Sequence, residues 1–226
     1  MNASYKTTIT FKDLSIPVKM IKVYTSNTIE LNQLCKDSKE RVRYKKYCPS
    51  CNKEITNSDI VKGYCYAEDK YVTIDQSDID SITTDKDKNI TILYFCKSKE
   101  ISSLLFDRSY YLIPEMDAEK DYQLLRKSMI ANRVVGIAEI VLGTKQELVA
   151  LFANKSCIIV TLLFYENEIN ELPIIFNHKI DKDKLERLKQ DIYENTKEFN
   201  WTNHFDKYQL KLRELILNKI EDTKRE

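Results

Sequence analysis

Apolar and polar residues alternate at the start of the chain and again in several later segments. Tyr5, Ile9 and Phe11 fall on odd positions with Lys and Thr between them, and residues 18–24 are rich in β-branched and aromatic side chains. A period of two is typical of strands with one buried face. Further strand-like segments occur at 60–66, 71–74, 90–95, 110–113, 134–142 and 156–165. The pattern predicts a β-rich body, with a break at Ile16–Pro17.

Helical spacing appears in four places. Asp117 offers an N-cap for a helix with Tyr122, Leu125 and Met129 on one face, and Thr144–Glu147 has the capping-box pattern ahead of an apolar run. From 181 onward, apolar residues recur at helical spacing between charges of both signs, which predicts two amphipathic helices. We therefore predict a β-rich α+β fold, with a core over residues 1–178 and a C-terminal helical arm over 179–226.

Charge and composition exclude some functions. The 226 residues include 36 Lys+Arg and 35 Asp+Glu, for a net charge of +1, which argues against a uniformly basic nucleic-acid binder but not against a local basic stripe. Only 3 glycines occur, and no Gly-rich phosphate-binding loop is present. The start lacks a signal-peptide pattern and no apolar run is long enough to span a bilayer. We expect a soluble, cytoplasmic protein with no membrane partner, whose 6 cysteines are reduced thiols or metal ligands.

A basic stripe covers residues 36–53, where seven Lys and Arg residues face two acidic ones, a local charge of +5. Such a stripe is a candidate for contact with DNA phosphates; the alternative is a solvated strand face. On a strand, Arg41, Arg43 and Lys45 would share one face and Lys46 would lie on the other. The candidates are Arg41, Arg43, Lys45 and Lys46, then Lys36, Lys39, Lys53 and Lys62, and more weakly Lys6, Lys19, Lys22, Arg126, Lys127, Arg133 and Lys145.

Four cysteines lie within this stripe or close to its ends. Cys48 and Cys51 have the CxxC spacing that lets one tight turn present two thiolates to Zn²⁺. Cys35 and Cys65 lie 13 and 14 positions outside that pair and could complete a four-cysteine site. Free thiols in a hairpin and an adventitious site are the alternatives. No cofactor is required by this interpretation, and the only metal it allows is structural zinc. Cys96 and Cys157 lie in apolar strands and are expected to be inert.

Catalysis finds little support in the residues. The only histidines, His178 and His204, lie among Asn and Lys in the late segment, without a nucleophile motif beside them. The carboxylates are scattered and form no recognisable acid–base pair. We therefore expect a binding protein rather than an enzyme.

Several motifs resemble, in order, those of the bacterial Ku family, the DNA-end-binding proteins of non-homologous end joining. They are Tyr5-Lys6-Thr7 with Ile16-Pro17-Val18-Lys19-Met20, Arg41-Val42-Arg43-Tyr44-Lys45-Lys46-Tyr47-Cys48, Ile60–Tyr66, Phe106–Leu112, Lys120–Arg126, Gly136–Ala138, Leu162–Ile169 and Phe199 with Phe205 and Tyr208. Two glycines of the family pattern are replaced by Thr7 and Lys12, which affects the turn geometry there. The often Lys-rich C-terminal extension of many relatives is absent from this sequence.

This resemblance implies a Ku-type β-barrel core with bridging strands, which form a DNA-encircling ring in a homodimer. It also implies binding to the ends of linear double-stranded DNA, and recruitment of a DNA ligase of the ligase D type in double-strand break repair at the bacterial nucleoid. Two alternatives remain open. One is a mobile-element type of end-masking protein that recruits no ligase, and the other is a zinc-ribbon DNA-binding regulator.

Overall fold

The computed structural model of the chain describes residues 5–26, 28–82, 88–171 and 178–225. Its strands are β1 Tyr5–Phe11, β2 Leu14–Lys22, β3 Lys46–Cys48, β4 Lys53–Ile55, β5 Lys62–Ala67, β6 Lys70–Ile74, β7 Ile90–Cys96, β8 Phe106–Pro114, β9 Val135–Leu142, β10 Lys145–Ala153 and β11 Ile158–Leu163. Its helices are α1 Gln76–Ile82, α2 Glu119–Asn132, α3 Lys182–Asn195 and α4 Lys207–Arg225.

The chain divides into two compact units. One comprises Met1–Thr25 with Arg43–Asn170, and the other comprises Ser26–Val42 with Glu171–Glu226. The predicted helical arm therefore belongs to a unit that also contains an early segment of the chain. Within that unit, the backbone N–H of Ile29 donates to Oε1 of Gln209 on α4 at 3.0 Å. This association has no counterpart in the sequence pattern.

A closed seven-stranded barrel forms the body of the first unit, in the order β1-β2-β8-β11-β10-β9-β7. Neighbouring strands are antiparallel except where β1 meets β7 in a short parallel ladder, Ile9 opposite Ile90 and Thr10 opposite Thr91. Closure satisfies the backbone groups that would otherwise be left unpaired at two sheet edges. The predicted β-rich α+β class is confirmed.

The interior of the barrel follows from the alternation seen in the sequence. On β2, Ile16, Val18 and Met20 are fully buried, while Ser15, Pro17 and Lys19 are not. Helix α2 buries Tyr122, Leu125 and Met129, the face that the spacing predicted, and packs against β2 and β10. The Tyr122 hydroxyl donates to the Leu112 carbonyl at 2.6 Å and accepts from the Ile158 N–H at 2.7 Å. Tyr122 thereby ties β8 and β11 to α2 inside the core.

The predicted break at Ile16–Pro17 is wrong, because β2 runs through both residues. The Pro17 carbonyl accepts from the Glu115 N–H at 2.9 Å. The missing N–H of Pro17 would point to the same side, where β8 has already ended at Pro114. Proline therefore costs no ladder hydrogen bond at this position.

Two helix-start predictions are also wrong. Helix α2 begins one residue later than expected, with Ala118 at the N-cap and Asp117 in the left-handed region at φ 72°. The capping-box pattern at Thr144–Glu147 begins strand β10 instead of a helix. Gly143, at φ 68°, supports a two-residue turn between β9 and β10, and β10 then pairs with strands on both sides. Tertiary pairing has overridden a local helix signal.

Candidate nucleic-acid interface

Two short ribbons of the first unit carry three of the predicted cations, Lys46, Lys53 and Lys62. Strands β3 and β4 form one two-stranded sheet, and β5 and β6 form another. No residue of either ribbon is buried, and the tyrosine rings of Tyr64, Tyr66 and Tyr71 are 67%, 63% and 64% exposed. A two-stranded ribbon is marginally stable by itself in water. These ribbons therefore present apolar and basic side chains that the described part of the first unit leaves uncovered.

The predicted cations of this unit, Arg43, Lys45, Lys46, Lys53 and Lys62, are all exposed. Lys45 Nζ lies 2.8 Å from Glu54 Oε1, and Lys46 Nζ donates to Asn57 Oδ1 at 2.6 Å. Both partners are exposed on the same ribbon or just beyond it, so each hydrogen bond competes with water. The side chains remain available to an anionic partner.

The expected strand through Arg41, Arg43 and Lys45 is not formed. Regular strand begins only at Lys46, and its ladder with β4 is three residues long. Among the described residues between β2 and β3, the only β-type pairing is an isolated bridge between Leu34 and Arg41. The expectation that the three odd positions share one strand face therefore loses its basis, because residues 42–45 do not form a strand.

Three of the eight leading candidates lie in the second unit. Lys36, Lys39 and Arg41 are exposed on a tight turn, closed by the Cys35 N–H donating to the Glu40 carbonyl at 2.9 Å. Lys39 occupies the left-handed region at φ 58°. The basic stripe is thus divided between the two units at residues 42 and 43.

Arg126, one of the weaker candidates, has a structural role instead. It is 9% exposed, and its Nη1 donates to the carbonyls of Asn154 and Lys155, each at 2.6 Å. These bonds hold the turn between β10 and β11 against α2. Its prediction as a surface cation is wrong, because the guanidinium is used to satisfy backbone carbonyls.

The CxxC pair lies at the tip of the first ribbon. The backbone N–H and then the thiol of Cys51 hydrogen-bond to the sulfur of Cys48, which lowers the pKa of the Cys48 thiol; the Ser50 N–H and the Lys53 ammonium act in the same direction. The pKa of the Cys51 thiol is raised, because it donates to Cys48 and lies beside the thiolate formed there. Asn52 follows in the left-handed region at φ 52°.

The other two predicted zinc ligands have different surroundings. Hydrogen bonds from the hydroxyl and the backbone of Ser38, with a smaller contribution from Asp37, lower the pKa of Cys35 to about 7. The thiol of Cys65 donates to the Ala67 carbonyl at 3.1 Å. Within the described ranges, no three His, Cys, Asp or Glu side chains lie close enough to share a metal ion. Of the predicted four-cysteine set, Cys48 and Cys51 flank the β3–β4 turn, Cys65 lies on β5, and Cys35 belongs to the second unit.

The exposed tyrosines are the feature that the sequence reasoning missed. The abundance of tyrosine, 14 residues, was visible, and Tyr64 and Tyr66 stand two apart in a strand-like segment. An apolar–polar alternation suggests one buried face, yet every residue of β5 is exposed. The signal that could have identified them is their position directly after the basic stripe.

Comparison with known proteins agrees with this architecture. The family model described as the Ku70/Ku80 beta-barrel domain matches residues 10–194. A protein of Lachnoclostridium phytofermentans named non-homologous end joining protein Ku is 36% identical over 218 residues, 96% of this chain and 85% of the relative. A protein of the same name from Archaeoglobus fulgidus is 32% identical over 224 residues, 97% and 88% of the two chains. One from Desulfitobacterium hafniense is 31% identical over 222 residues, 97% and 78% of the two chains.

The fold and these matches define a Ku-type β-barrel protein. The chain belongs to the Ku family, as its motifs predicted. Over the part of the chain that the structure describes, no helix is both long enough and apolar enough to cross a bilayer.

Proposed function

We propose that this chain binds the ends of linear double-stranded DNA as a homodimeric ring. The observation that carries the proposal is the pair of exposed ribbons, which unite cations with apolar rings on a surface with no buried residue. The relatives named as non-homologous end joining protein Ku support the same role. Phosphate contacts of this kind position a protein on a duplex without reading its sequence.

A second copy of the chain is the partner that explains the uncovered surface. Helices α3 and α4 also bury no residue. On α3, the apolar side chains of Leu188 and Ile192 share one helix face and are 56% and 59% exposed. In a two-fold dimer, each ribbon and each apolar stripe would meet its own duplicate or a complementary patch. Burial of these surfaces would then stabilise both the ribbons and the dimer.

Topology gives the direct test of end binding. The protein is offered linear duplex and covalently closed circles of equal length, at equal concentration and ionic strength. We expect strong preference for the linear form, and retention of protein at high salt when linear DNA is circularised after loading. Equal affinity for the two forms, or loss of protein from the closed circles, would contradict threading.

Salt dependence tests the cations one at a time. Arg43→Ala should reduce the slope of log K against log salt by about one for linear duplex. Glu54→Gln should strengthen binding, since it releases Lys45 from its ion pair and removes a negative charge from the ribbon. Lys189→Ala, on an α3 residue paired with Glu186, is the matched control and should leave the slope unchanged. An unchanged slope for Arg43→Ala would remove that residue from the interface.

We further propose that the bound ends are passed to a DNA ligase of the ligase D type, which would make the chain a non-enzymatic repair factor. Ligation of linear DNA by the cognate ligase is measured with and without the protein. We expect the protein to increase the rate of ligation. Protection of ends from nuclease without stimulation would instead favour an end-masking role, and strong preference for one internal sequence would favour a DNA-binding regulator.

A further inference from the structure

A groove on the first unit lies between helix α2, the β1–β2 turn and strand β7. Its volume is about 490 Å³, which is within the range of pockets that hold ligands. Phe11, Phe95, Leu124 and Met129 contribute apolar surface to it, and Lys97 is the one charged residue among the described residues that line it. The groove is therefore apolar inside, with a cation at its edge.

Two aromatic rings fix the floor of this groove. Phe11 and Phe95 meet edge to face, with ring centroids 5.1 Å apart and planes at 86°. Gly136 on β9 leaves room for the second ring, because a Cβ at that position would lie 3.3 Å from Phe95 Cε1. The Phe95 ring is thus in contact on two sides, and the floor is formed before any ligand binds.

Helix α2 adds an apolar side chain that the barrel does not bury. Leu125 and Met129 are buried in the core, whereas Leu124 is 57% exposed and still lines the groove. Covering the exposed part of Leu124 with an apolar group would be favourable, since it removes apolar surface from water. A ligand with a large apolar side chain therefore suits this groove.

The charges around the groove favour a negatively charged ligand. The Lys97 ammonium gives one of its donors to the Asn132 carbonyl at 2.9 Å and has others to offer. Lys12 Nζ lies 5.6 Å from the centre of the Phe11 ring. Both cations therefore lie next to the apolar floor.

The sequence around these two lysines is also basic. The three segments that supply the lining, residues 11–14, 95–100 and 124–134, contain six Lys and Arg and two carboxylates. The carboxylates belong to Asp13 and Glu100, and Glu100 Oε2 accepts from the backbone N–H of Lys97 at 3.0 Å. Positive charge is in excess, so carboxylates of a ligand would be attracted here.

We infer that this groove binds an acidic segment of a partner protein. One large apolar side chain of that segment would cover Phe95 and Leu124, and its carboxylates would lie beside Lys12 and Lys97. A peptide fits better than DNA, because phosphates would meet the lysines but leave the apolar floor uncovered. This docking site goes beyond DNA-end binding and does not depend on it.

The experiment selects a random peptide library against the full chain, with duplex DNA present to occupy the DNA-binding surface. We expect the enriched peptides to carry Phe, Trp or Leu between Asp and Glu residues. The most enriched peptide is then synthesised, and its affinity is measured by titration calorimetry. Enrichment of basic or uncharged peptides, or of none, would overturn the inference.

Two pairs of variants locate the bound peptide. Leu124→Glu should weaken its affinity about tenfold or more, through lost apolar contact and charge repulsion. Leu104→Glu changes an exposed leucine that does not line the groove, and it should have no effect. Lys12→Glu should weaken affinity about twofold to fivefold, whereas Lys155→Glu, in the turn between β10 and β11, should not. Equal effects within either pair would overturn the assignment to this groove.

Binding to linear and circular duplex is measured on the same variants. Leu124→Glu should keep the preference of the wild-type chain, and loss of that preference would assign the groove to DNA and overturn the inference. A wild-type chain that binds the peptide but shows no preference for ends would contradict only the proposed function.

Discussion

The barrel and the ribbons belong to one compact unit but are stabilised in different ways. The barrel with α2 and its N-cap Ala118 holds every buried apolar residue of the part that the structure describes, whereas β3 to β6 bury none. Both regions have apolar side chains at alternating positions. The difference is that barrel strands have neighbours on both sides and an enclosed interior. The comparison teaches that alternation predicts a strand, while the number of its neighbours decides whether that strand is stable by itself.

The sharpest way to break this comparison is to remove equal apolar volume from the two kinds of environment. Leu151 on β10 is fully buried, and Leu188 on α3 is 56% exposed. Leu151→Ala should lower the free energy of unfolding by about 2–5 kcal/mol, through lost burial and a residual cavity. Leu188→Ala should cost less than about 0.5 kcal/mol in the barrel transition and should instead weaken dimerisation.

Urea unfolding at two protein concentrations measures both effects. The fall in unfolding free energy caused by Leu151→Ala should be the same at high and low protein concentration. The fall caused by Leu188→Ala should depend on protein concentration. Equal, concentration-independent losses would show that the helical unit has a core of its own.

Tyr122 tests whether the barrel depends on its buried hydrogen bonds as well as on its apolar contacts. Tyr122→Phe leaves the Leu112 carbonyl and the Ile158 N–H buried without their partner. The expected loss is about 1–3 kcal/mol of unfolding free energy. Tyr193→Phe, on an α3 ring that is 78% exposed, is the matched control and should be neutral. A neutral Tyr122→Phe would mean that these two groups find other partners.

The same residue gives the barrel a pH dependence at alkaline pH. Burial raises the pKa of the Tyr122 phenol above its ordinary value, since the charged form is poorly solvated inside the protein. The folded state therefore holds the proton more tightly than the unfolded state does. Stability should be complete below about pH 10 and fall as pH rises through the folded pKa.

Unfolding midpoints measured at several alkaline pH values give the slope of stability against pH. Tyr122→Phe should make that slope shallower. Burial also raises the pKa of Cys157, which contributes in the same direction from a lower pH, so the comparison is made in a Cys157→Ala background. Identical slopes with and without the Tyr122 hydroxyl would contradict the assignment.

The smallest expected effect concerns the turn between β1 and β2. Lys12 occupies the left-handed region at φ 52°, at the position where the family pattern predicted glycine. Its ammonium lies 5.6 Å from the centre of the Phe11 ring, an exposed contact of little energy. Lys12→Gly should raise the free energy of unfolding by about 1 kcal/mol, since it removes the strain of a Cβ in this conformation.

The urea midpoint is the measurement, and Lys12→Ala is the control, because it removes the same contact and keeps the Cβ. Stabilisation by both variants alike would show that the side chain, rather than the backbone conformation, is responsible.

Much of the barrel could be predicted from local pattern, because β1 and β2 show the period of two directly and β11 is a continuous run rich in β-branched residues. The buried face of α2 is visible for the same reason, in the spacing of Tyr122, Leu125 and Met129. The strand order, the parallel closure and the strand at 145–153 could not be predicted, since they depend on partners distant in sequence. Thr144–Glu147 shows why local pattern is not sufficient. It has a good helix-capping pattern, yet pairing with β9 and β11 makes the following residues a strand.

The candidate site was predictable to a similar degree. Exposed cations such as Arg43 and Lys62 follow from charge patterning alone. The hydrogen bond from the Cys65 thiol to the Ala67 carbonyl depends on the path of the chain, which spacing does not contain. The association of residues 26–42 with α4 leaves no periodic signal, so it appears only in three dimensions.

The parallel ladder between β1 and β7 also has a consequence for how the chain folds. The hydroxyls of Thr10 and Thr91 meet at 3.2 Å although the two residues stand 81 positions apart. Everything between them, both ribbons included, must be released from the ribosome before that seam can form. Contacts of such long sequence separation slow folding, because chain entropy is lost before they form. The newly made β1–β2 hairpin must therefore wait with its β1 edge open until β7 is made and with its β2 edge open until β8 is made. Unpaired strand edges of this kind promote aggregation.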